Sequence, residues 1–514
     1  MADAACMPCD DAGRRDEQGA EGLRPRIDEG DGIVELAVKD IQEATGARLL
    51  AGDPGSACTR CIIDSREAAA GDLFVAFPGE RVDGNDFAAP AIEAGAAAVA
   101  LTRDPSKELL DLAHERGCAV FALDDAEDFL LSLAHRWRRI LGCTVVGITG
   151  SIGKTTTKDV LAGVLRQRFR VHVTGGNFNN LIGMPLTILS APRDTQVLVL
   201  EMGMNSRGEI ERLTRCAEPS LAVITKIGTS HIGMLGSREN IARAKAEIVD
   251  GMVPVSVGAE AGKPGAAPLL VLTGEDPFTP FIADTFARPA GVEVLCAGLE
   301  ESDAVSATAI ELGDDGCPSF TLTLEDGSHA RTELAITGRQ SVSNAVLAAA
   351  IASRLGVTVA EIDHAFRALQ ITGRRQEVRR ASSGARIIDD SYNASPESTA
   401  AALDLLCTLP TRGRRIAVLG EIGELGDESE RLHGLVGAYA AAKKLDLMVC
   451  VGTDGAAEML AAARLMGMDE DVTLSAATAE EAVRFIGGDL GPDDTVLVKG
   501  SRFVGLDRFV EEVC

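Results

Sequence analysis

Short apolar runs alternate with segments of helical length along most of the chain. "DLFVAF" (72–77) and "CAVFAL" (118–123) flank "AAPAIEAGAAAVAL" (88–101), which predicts a small α/β unit starting near Ile33. The amphipathic "DAEDFLLSLAHRWRRIL" (125–141) closes it and leads into the next domain. There "CTVVGIT" (143–149), "VLVLEMG" (197–203) and "LAVITKIG" (221–228) are apolar throughout and separated by helix-length spans. Strands without polar alternation are buried on both faces, so this region predicts a parallel, doubly wound sheet. Residues 251–335 are more variable, with Gly/Pro-rich turns and an alternating "SFTLTLEDG" that reads as a hairpin. A third α/β run follows "ITGRRQEVRR", with "ARIIDDSYNA", "RRIAVLGEIGE", "DLMVCVG" and "TVLVKGSR" as strands with their exits.

The fold class is therefore α/β in three domains, spanning 31–140, 141–371 and 372–514. Residues 1–30 are polar, without periodic hydrophobics, and are expected to be a disordered tail. No repeat of solenoid period is present. Asp and Glu outnumber Lys and Arg by 77 to 50, a formal charge of −27 that repels a polyanionic backbone, so nucleic acid is excluded as main partner. No run approaches the roughly 18 uninterrupted apolar residues of a membrane span, and the N-terminus lacks the apolar heart of a signal peptide, giving a cytoplasmic expectation without membrane insertion. Two C-x-x-C pairs, Cys6/Cys9 and Cys58/Cys61, have no histidine nearby, which argues against a structural metal.

The densest chemistry lies in "VVGITGSIGKTTTKDVL" (145–161). Gly153, Lys154 and Thr155 fill the last places of G-x-x-x-x-G-K-[ST], while Ile148 stands where the first glycine belongs. A strand, then Gly150, Ser151, Gly153, Lys154, Thr155 and Thr156, then a helix from Thr156 onward is the context that aims backbone N–H groups at phosphate oxygens. Lys154 would reach the β- and γ-phosphates and Thr155 would offer its hydroxyl to Mg²⁺, so ATP is the expected nucleotide. This leaves the reaction open.

Four further segments follow in order: "TGGNFNNLIGMPLTIL" (174–189), "VLEMGMNSRGEI" (199–210), "ITKIGTSHIGMLGSRENIARAKAEI" (224–248) and "IIDDSYNASPESTAAAL" (387–403). Together with "IDSREAAAGDLFVAFPGERVDGNDF" (63–87), they resemble the Mur ligases of peptidoglycan synthesis from about residue 33 to the C-terminus. The "GNFNN" and "DDSYNA" forms resemble the branch that joins D-alanyl-D-alanine to UDP-N-acetylmuramoyl-tripeptide. The resemblance implies an N-terminal UDP-substrate domain, a central ATP domain, a C-terminal Rossmann-like ligase domain and an acyl-phosphate route. It also implies a monomer acting on small-molecule substrates, with ATP and Mg²⁺ as cofactors. Other Mur or folylpolyglutamate-type ligases, and a nucleotide-binding protein without ligase activity, are the alternatives.

Residue by residue, the resemblance makes Glu201 and His231 metal ligands with Thr155, and Lys245 a lysine carbamylated to an anion that bridges Mg²⁺. On residue type alone, Glu201 also reads as a strand-end charge, His231 as a loop histidine and Lys245 as part of a solvated helix face. It further implies Asn344 beside adenine, Arg374 on phosphate and Asp390 on the ribose. Tyr392 and Asn393 are implied near the acyl phosphate, Ser65 and Arg66 at the UDP-sugar end, and Asn177, Asn179 and Asn180 as the substrate cradle. Departures from the family pattern are Lys226, Thr273 to Asp276, Gln340, Ser341, Asn85 and Glu421, mostly on the adenine side. Because the implied ATP contacts come from two domains, closure of the C-terminal domain over the central one is expected.

Overall fold

The computed structural model describes residues 35–79, 81–255, 263–370 and 373–514. The expected tail at 1–30, with Cys6 and Cys9, and the expected boundary at 371/372 lie outside these described residues. Among the described residues the strands form sheets of five, nine and six strands and one two-stranded ribbon. The five-stranded sheet runs, in spatial order, Arg48–Ala51, Ala119–Ala122, Ala98–Leu101, Asp72–Val75 and Arg60–Ile62. Its three inner strands are buried at every position, as their unbroken apolar runs require. Cys61, on the edge strand Arg60–Ile62, and Cys58, in the two-stranded ribbon, are free thiols, and burial pushes the Cys58 thiol up to about 12.

Helix Ala126–Leu141 fastens this unit to the next one. The Asp125 carboxylate accepts the Asp128 N–H at its start. Farther along, fully buried Trp137 donates Nε1–H to the Ala191 carbonyl at 3.1 Å. Arg138 donates to the carbonyls of Ala217 and Glu218, each at 2.7 Å, where helix Glu209–Ala217 ends. Its guanidinium thus satisfies carbonyls that the helix end leaves without partners.

The nine-stranded sheet runs His329–Glu333, Pro318–Thr323, Val305–Leu312, Glu293–Gly298, Leu269–Thr273, Leu221–Ile224, Thr144–Thr149, Val197–Glu201 and Val171–Val173. Neighbours pair in parallel except around Pro318–Thr323, which is antiparallel both to Val305–Leu312 and to His329–Glu333 and forms the expected hairpin with the latter. The variable region therefore extends the central sheet. Thr144–Thr149 lies at its middle. The chain leaves it towards Val171–Val173 on one side and later returns to add Leu221–Ile224 on the other. That reversal opens a crevice at the carboxyl ends of these strands.

The six-stranded sheet runs Glu377–Arg380, Arg386–Asp390, Thr495–Lys499, Arg415–Gly420, Leu447–Val451 and Thr473–Ala476. Glu377–Arg380 and Thr473–Ala476 are absent from the sequence reading. Both are edge strands, and an edge needs no two-faced apolar run to be held by one neighbour's ladder.

Candidate active site

Strand Thr144–Thr149 ends in a loop whose two glycines sit where a side chain would not fit. Ile148, in the place of the first motif glycine, is still inside the strand, fully buried and paired with Glu201 and Val223. No glycine is needed there. Gly150 has φ 145°, and a Cβ on it would lie 1.9 Å from Thr225 Oγ1. Gly153 has φ 89°, and its Cβ would meet Asn344 Oδ1 at 2.2 Å. Gly153 is the N-cap of helix Lys154–Leu165, so the helix starts two residues before the expected Thr156. The left-handed glycine lets the chain enter the helix directly.

The Ser151 N–H donates to the Lys226 carbonyl at 2.7 Å, and Lys154 Nζ donates to the Gly150 carbonyl at 2.8 Å. Ser151 Oγ is buried with no partner among the described residues, a polar atom left for a ligand. Burial lowers the Lys154 pKa, opposed by Glu201 and reinforced by Arg375.

Glu201 ends its buried strand and is 2 % exposed. Its two carboxylate oxygens accept the Thr155 hydroxyl and the Asn179 amide, each at 2.8 Å. Three residues from three separate motifs therefore meet at one carboxylate. A hydroxyl and a carboxylate are the hard oxygen donors that Mg²⁺ takes, usually beside water and substrate phosphate. Among the described residues no group of three or more His, Cys, Asp or Glu forms a metal cage.

Lys245, on helix Arg238–Ala246, is 1 % exposed and its ammonium has no hydrogen-bond partner among the described residues. Burial pushes its pKa well below the ordinary value, and the charge of Lys154 pushes it further. It is not part of a solvated helix face. His231 has φ 64° and lies 2.7 Å through Nδ1 from Glu424 Oε2 of the C-terminal domain. The neighbouring Ser230 hydroxyl reaches the Ser151 carbonyl at 3.4 Å.

From the C-terminal sheet, Lys499 donates to Asp390 at 2.7 Å and to the Asn393 carbonyl at 3.0 Å. Burial raises the Asp390 pKa against that ion pair. The Arg375 guanidinium sits 4.2 Å from the centre of the Tyr392 ring, and its charge acts on Lys154 and Asp390. Arg374 differs from the expectation for a phosphate contact. Its guanidinium forks onto Asp507 at 2.6 Å and Glu511 at 2.7 Å, away from the loop. Glu421, aligned with the family's acid, instead accepts the N–H groups of Thr453 and Gly455 at the start of helix Asp454–Leu465. Glu424, three residues on, is the acid that meets His231.

The adenine-side departures form their own contacts. Asp276 accepts the Ile227 N–H at 2.6 Å, tying two strand exits together, and Glu275 accepts from the Ser343 hydroxyl. Gln340 bonds Gln376, and Ser341 is buried against its own helix start. Lys226 is exposed. In the cradle, Asn180 Oδ1 accepts the N–H of Gly183, the first residue of helix Gly183–Leu189, at 2.7 Å, while Asn177 is exposed. Ser65 opens the turn Ser65–Glu67 and Arg66 is forked onto Asp64, both in the N-terminal unit. Asn85 holds that unit's loop through Asp83 and Thr102. The structure thus gathers Gly150 to Thr156, Asn179, Glu201 and Asn344 around one loop, with His231 at its rim. Arg375, Lys499 and Glu424 were missed: "TGRRQE" offers two neighbouring arginines and "GEIGELG" two acids that spacing does not separate, and nothing in "TVLVKGSR" marks its lysine.

Comparison with known proteins decides the family. Residues 59–137, 148–352 and 373–502 match, respectively, the Mur ligase family catalytic domain, the Mur ligase middle domain, and the Mur ligase glutamate ligase domain. The UDP-N-acetylmuramoyl-tripeptide–D-alanyl-D-alanine ligase of Bacillus subtilis is 35% identical over 450 residues, 88% of this chain and 92% of the relative. The chain belongs to the Mur ligase family. The Mur ligase of the same name from Mycobacterium tuberculosis (strain H37Rv) is 34% identical across 92% of this chain and 96% of its own. A MurF crystal structure from Acinetobacter baumannii superposes with a TM-score of 0.82 at 29% identity, covering 94% of this chain and 99% of that one. The Thermotoga maritima MurF ligase in complex with ADP gives 0.74 at 28% identity, covering 88% and 96%. No helix among the described residues is long and apolar enough to cross a membrane.

Proposed function

We infer that this Mur ligase uses ATP to join D-alanyl-D-alanine to UDP-N-acetylmuramoyl-tripeptide, forming the pentapeptide precursor of peptidoglycan. The observation that carries this reading is the 35% identity with a ligase of that name over nearly the whole of both chains. ATP use is supported by the ADP complex of a structural neighbour. The N-terminal unit (31–140) holds the UDP end, the central unit (141–371) the ATP and the C-terminal unit (372–514) completes the site.

A carboxylate resists attack by an amine because its leaving group would be oxide. The terminal carboxylate of the tripeptide attacks the γ-phosphorus, ADP leaves, and an acyl phosphate forms. The D-alanyl-D-alanine amine then attacks the acyl carbon, the tetrahedral adduct expels phosphate, and the nitrogen's proton is lost. Lys154 and Arg375 neutralise phosphate charge, Ser151 and the loop N–H groups hold its oxygens, and Asn344 and Asp390 face adenine and ribose. Asn177, Asn179 and Asn180 carry the nucleotide-peptide, Ser65 and Arg66 its UDP-sugar end, and Tyr392 and Asn393 the reacting acyl group. Thr155, Glu201 and His231 would hold Mg²⁺, which when bound would supply further charge neutralisation. Lys245, pushed towards its neutral amine, is suited to attack CO₂, lose a proton and become a carbamate anion, which would offer oxygen donors to the metal.

Mass spectrometry tests the transformation. With ATP, the tripeptide nucleotide and D-alanyl-D-alanine, the product should gain one dipeptide less one water. Gain of a single amino acid, or no gain, would overturn the substrate assignment.

The two arginines give a separate outcome. Arg375→Ala should lower turnover by about 10²-fold, the loss of one oriented charge at a transferring phosphoryl group. Arg374→Ala, which breaks only half-exposed ion pairs, should lower it less than about threefold. Steady-state turnover of both variants checks this, and the reverse ranking would return the phosphate role to Arg374.

A further inference from the structure

Two residues facing each other across the domain boundary share an unusual backbone. His231 of the central unit and Glu424 of the C-terminal unit both have φ 64°, a left-handed conformation that costs a non-glycine residue energy and persists where its surroundings enforce it. Their side chains meet at 2.7 Å, Nδ1 to Oε2, and the His231 side chain is only 17% exposed. The Gly233 N–H donates to the Glu424 carbonyl at 3.0 Å. Gly233 and Gly426 touch through bare backbone: a Cβ on Gly233 would lie 2.5 Å from Gly426 N, and one on Gly426 2.6 Å from Gly233 Cα. The loop carrying Glu424 is itself fixed from within its own domain. The Ile422 N–H donates to His433 Nε2 and the Gly423 N–H to Ser501 Oγ, each at 2.9 Å. A fortuitous surface ion pair has none of this support.

We propose that Glu424 is a positioning residue that sets the ring orientation and tautomer of His231, and does so only when the C-terminal domain is seated on the central one. Nδ1 is buried and makes no well-directed hydrogen bond, so the adjacent carboxylate, which can only accept, is the one group within reach to hold a proton there, leaving the lone pair of the neutral ring on Nε2. Nε2 has no partner among the described residues. A carboxylate fixing one imidazole nitrogen while the other stays available is the arrangement that orients histidine ligands. His231 is thereby made ready by the same movement that brings Arg375 and Asp390 to the nucleotide. The proposal rests on the ligase reading for its consequence in turnover, and its structural test does not.

That test is nitrogen NMR of the full chain labelled with [¹⁵N]histidine, without nucleotide; the seven histidines are few enough to resolve, and His231→Gln identifies the signal. The wild type should show Nδ1–H and a bare Nε2 at His231. Glu424→Ala should lose that signature, and Glu424→Gln, whose carbonyl still accepts, should keep it. In turnover, Glu424→Ala should lower kcat about tenfold with little change in the KM for ATP, the usual scale for groups behind a ligand. Identical His231 signals in wild type and Glu424→Ala would overturn the proposal. Should Glu424→Ala not fold, Gly426→Val, which forces the loop off Gly233, should produce the same tautomer change, and an unchanged signal there would equally overturn it. A wild type that does not ligate would remove the ligase reading and leave the tautomer result standing.

Discussion

Lys154→Ala should lower ligation by about 10³-fold while leaving the chain folded, the magnitude seen when one preorganised group facing developing charge is removed. Lys154 is the first residue of its helix, and among the described residues its ammonium donates only to the Gly150 carbonyl in the loop itself. It packs no core. Its pKa lies below the ordinary value through burial, so its charge costs folding energy in the free protein. Removing the side chain takes away that cost together with the charge that would face the phosphates. Turnover and a thermal melt, measured on the same preparation, check this. Retained turnover would remove the loop's assigned role.

Lys245→Ala should be comparably severe, and chemically repairable. Among the described residues the side chain is one of the largest fully buried, and no carboxylate there balances it. A carbamate would convert a buried, unpaired amine into a metal-binding anion. Short carboxylates or bicarbonate should therefore restore part of the lost activity by occupying the vacated space. The pH dependence has a definite sign. The folded-state pKa lies below that of the unfolded chain, so the unfolded chain binds more protons between the two values and stability rises with pH across that window. Carbamylation needs the neutral amine and should likewise be lost as pH falls through the lowered pKa. Undiminished activity of Lys245→Ala, or loss without any rescue, would count against the carbamate.

The layered architecture was readable because Thr144–Thr149, Val197–Glu201 and Leu221–Ile224 are apolar at nearly every position, which two-sided burial demands. Edge strands such as Glu377–Arg380 left no such trace. In the site, Lys154, Thr155 and Glu201 were legible because a loop and a strand end fix their direction. Arg374 against Arg375, and Glu421 against Glu424, were not. Neighbouring residues of one type differ only in where the backbone turns them, and Arg374 and Glu424 both take left-handed conformations that spacing does not encode. Glu424 was further hidden because its partner, His231, is 193 positions away in sequence, 424 minus 231.

Phosphate release is the most direct measure of the reaction. With ATP and Mg²⁺, release should occur only when UDP-N-acetylmuramoyl-tripeptide and D-alanyl-D-alanine are both present, and it should match pentapeptide formation one for one. Release that proceeds equally without D-alanyl-D-alanine would contradict amide ligation as this chain's activity.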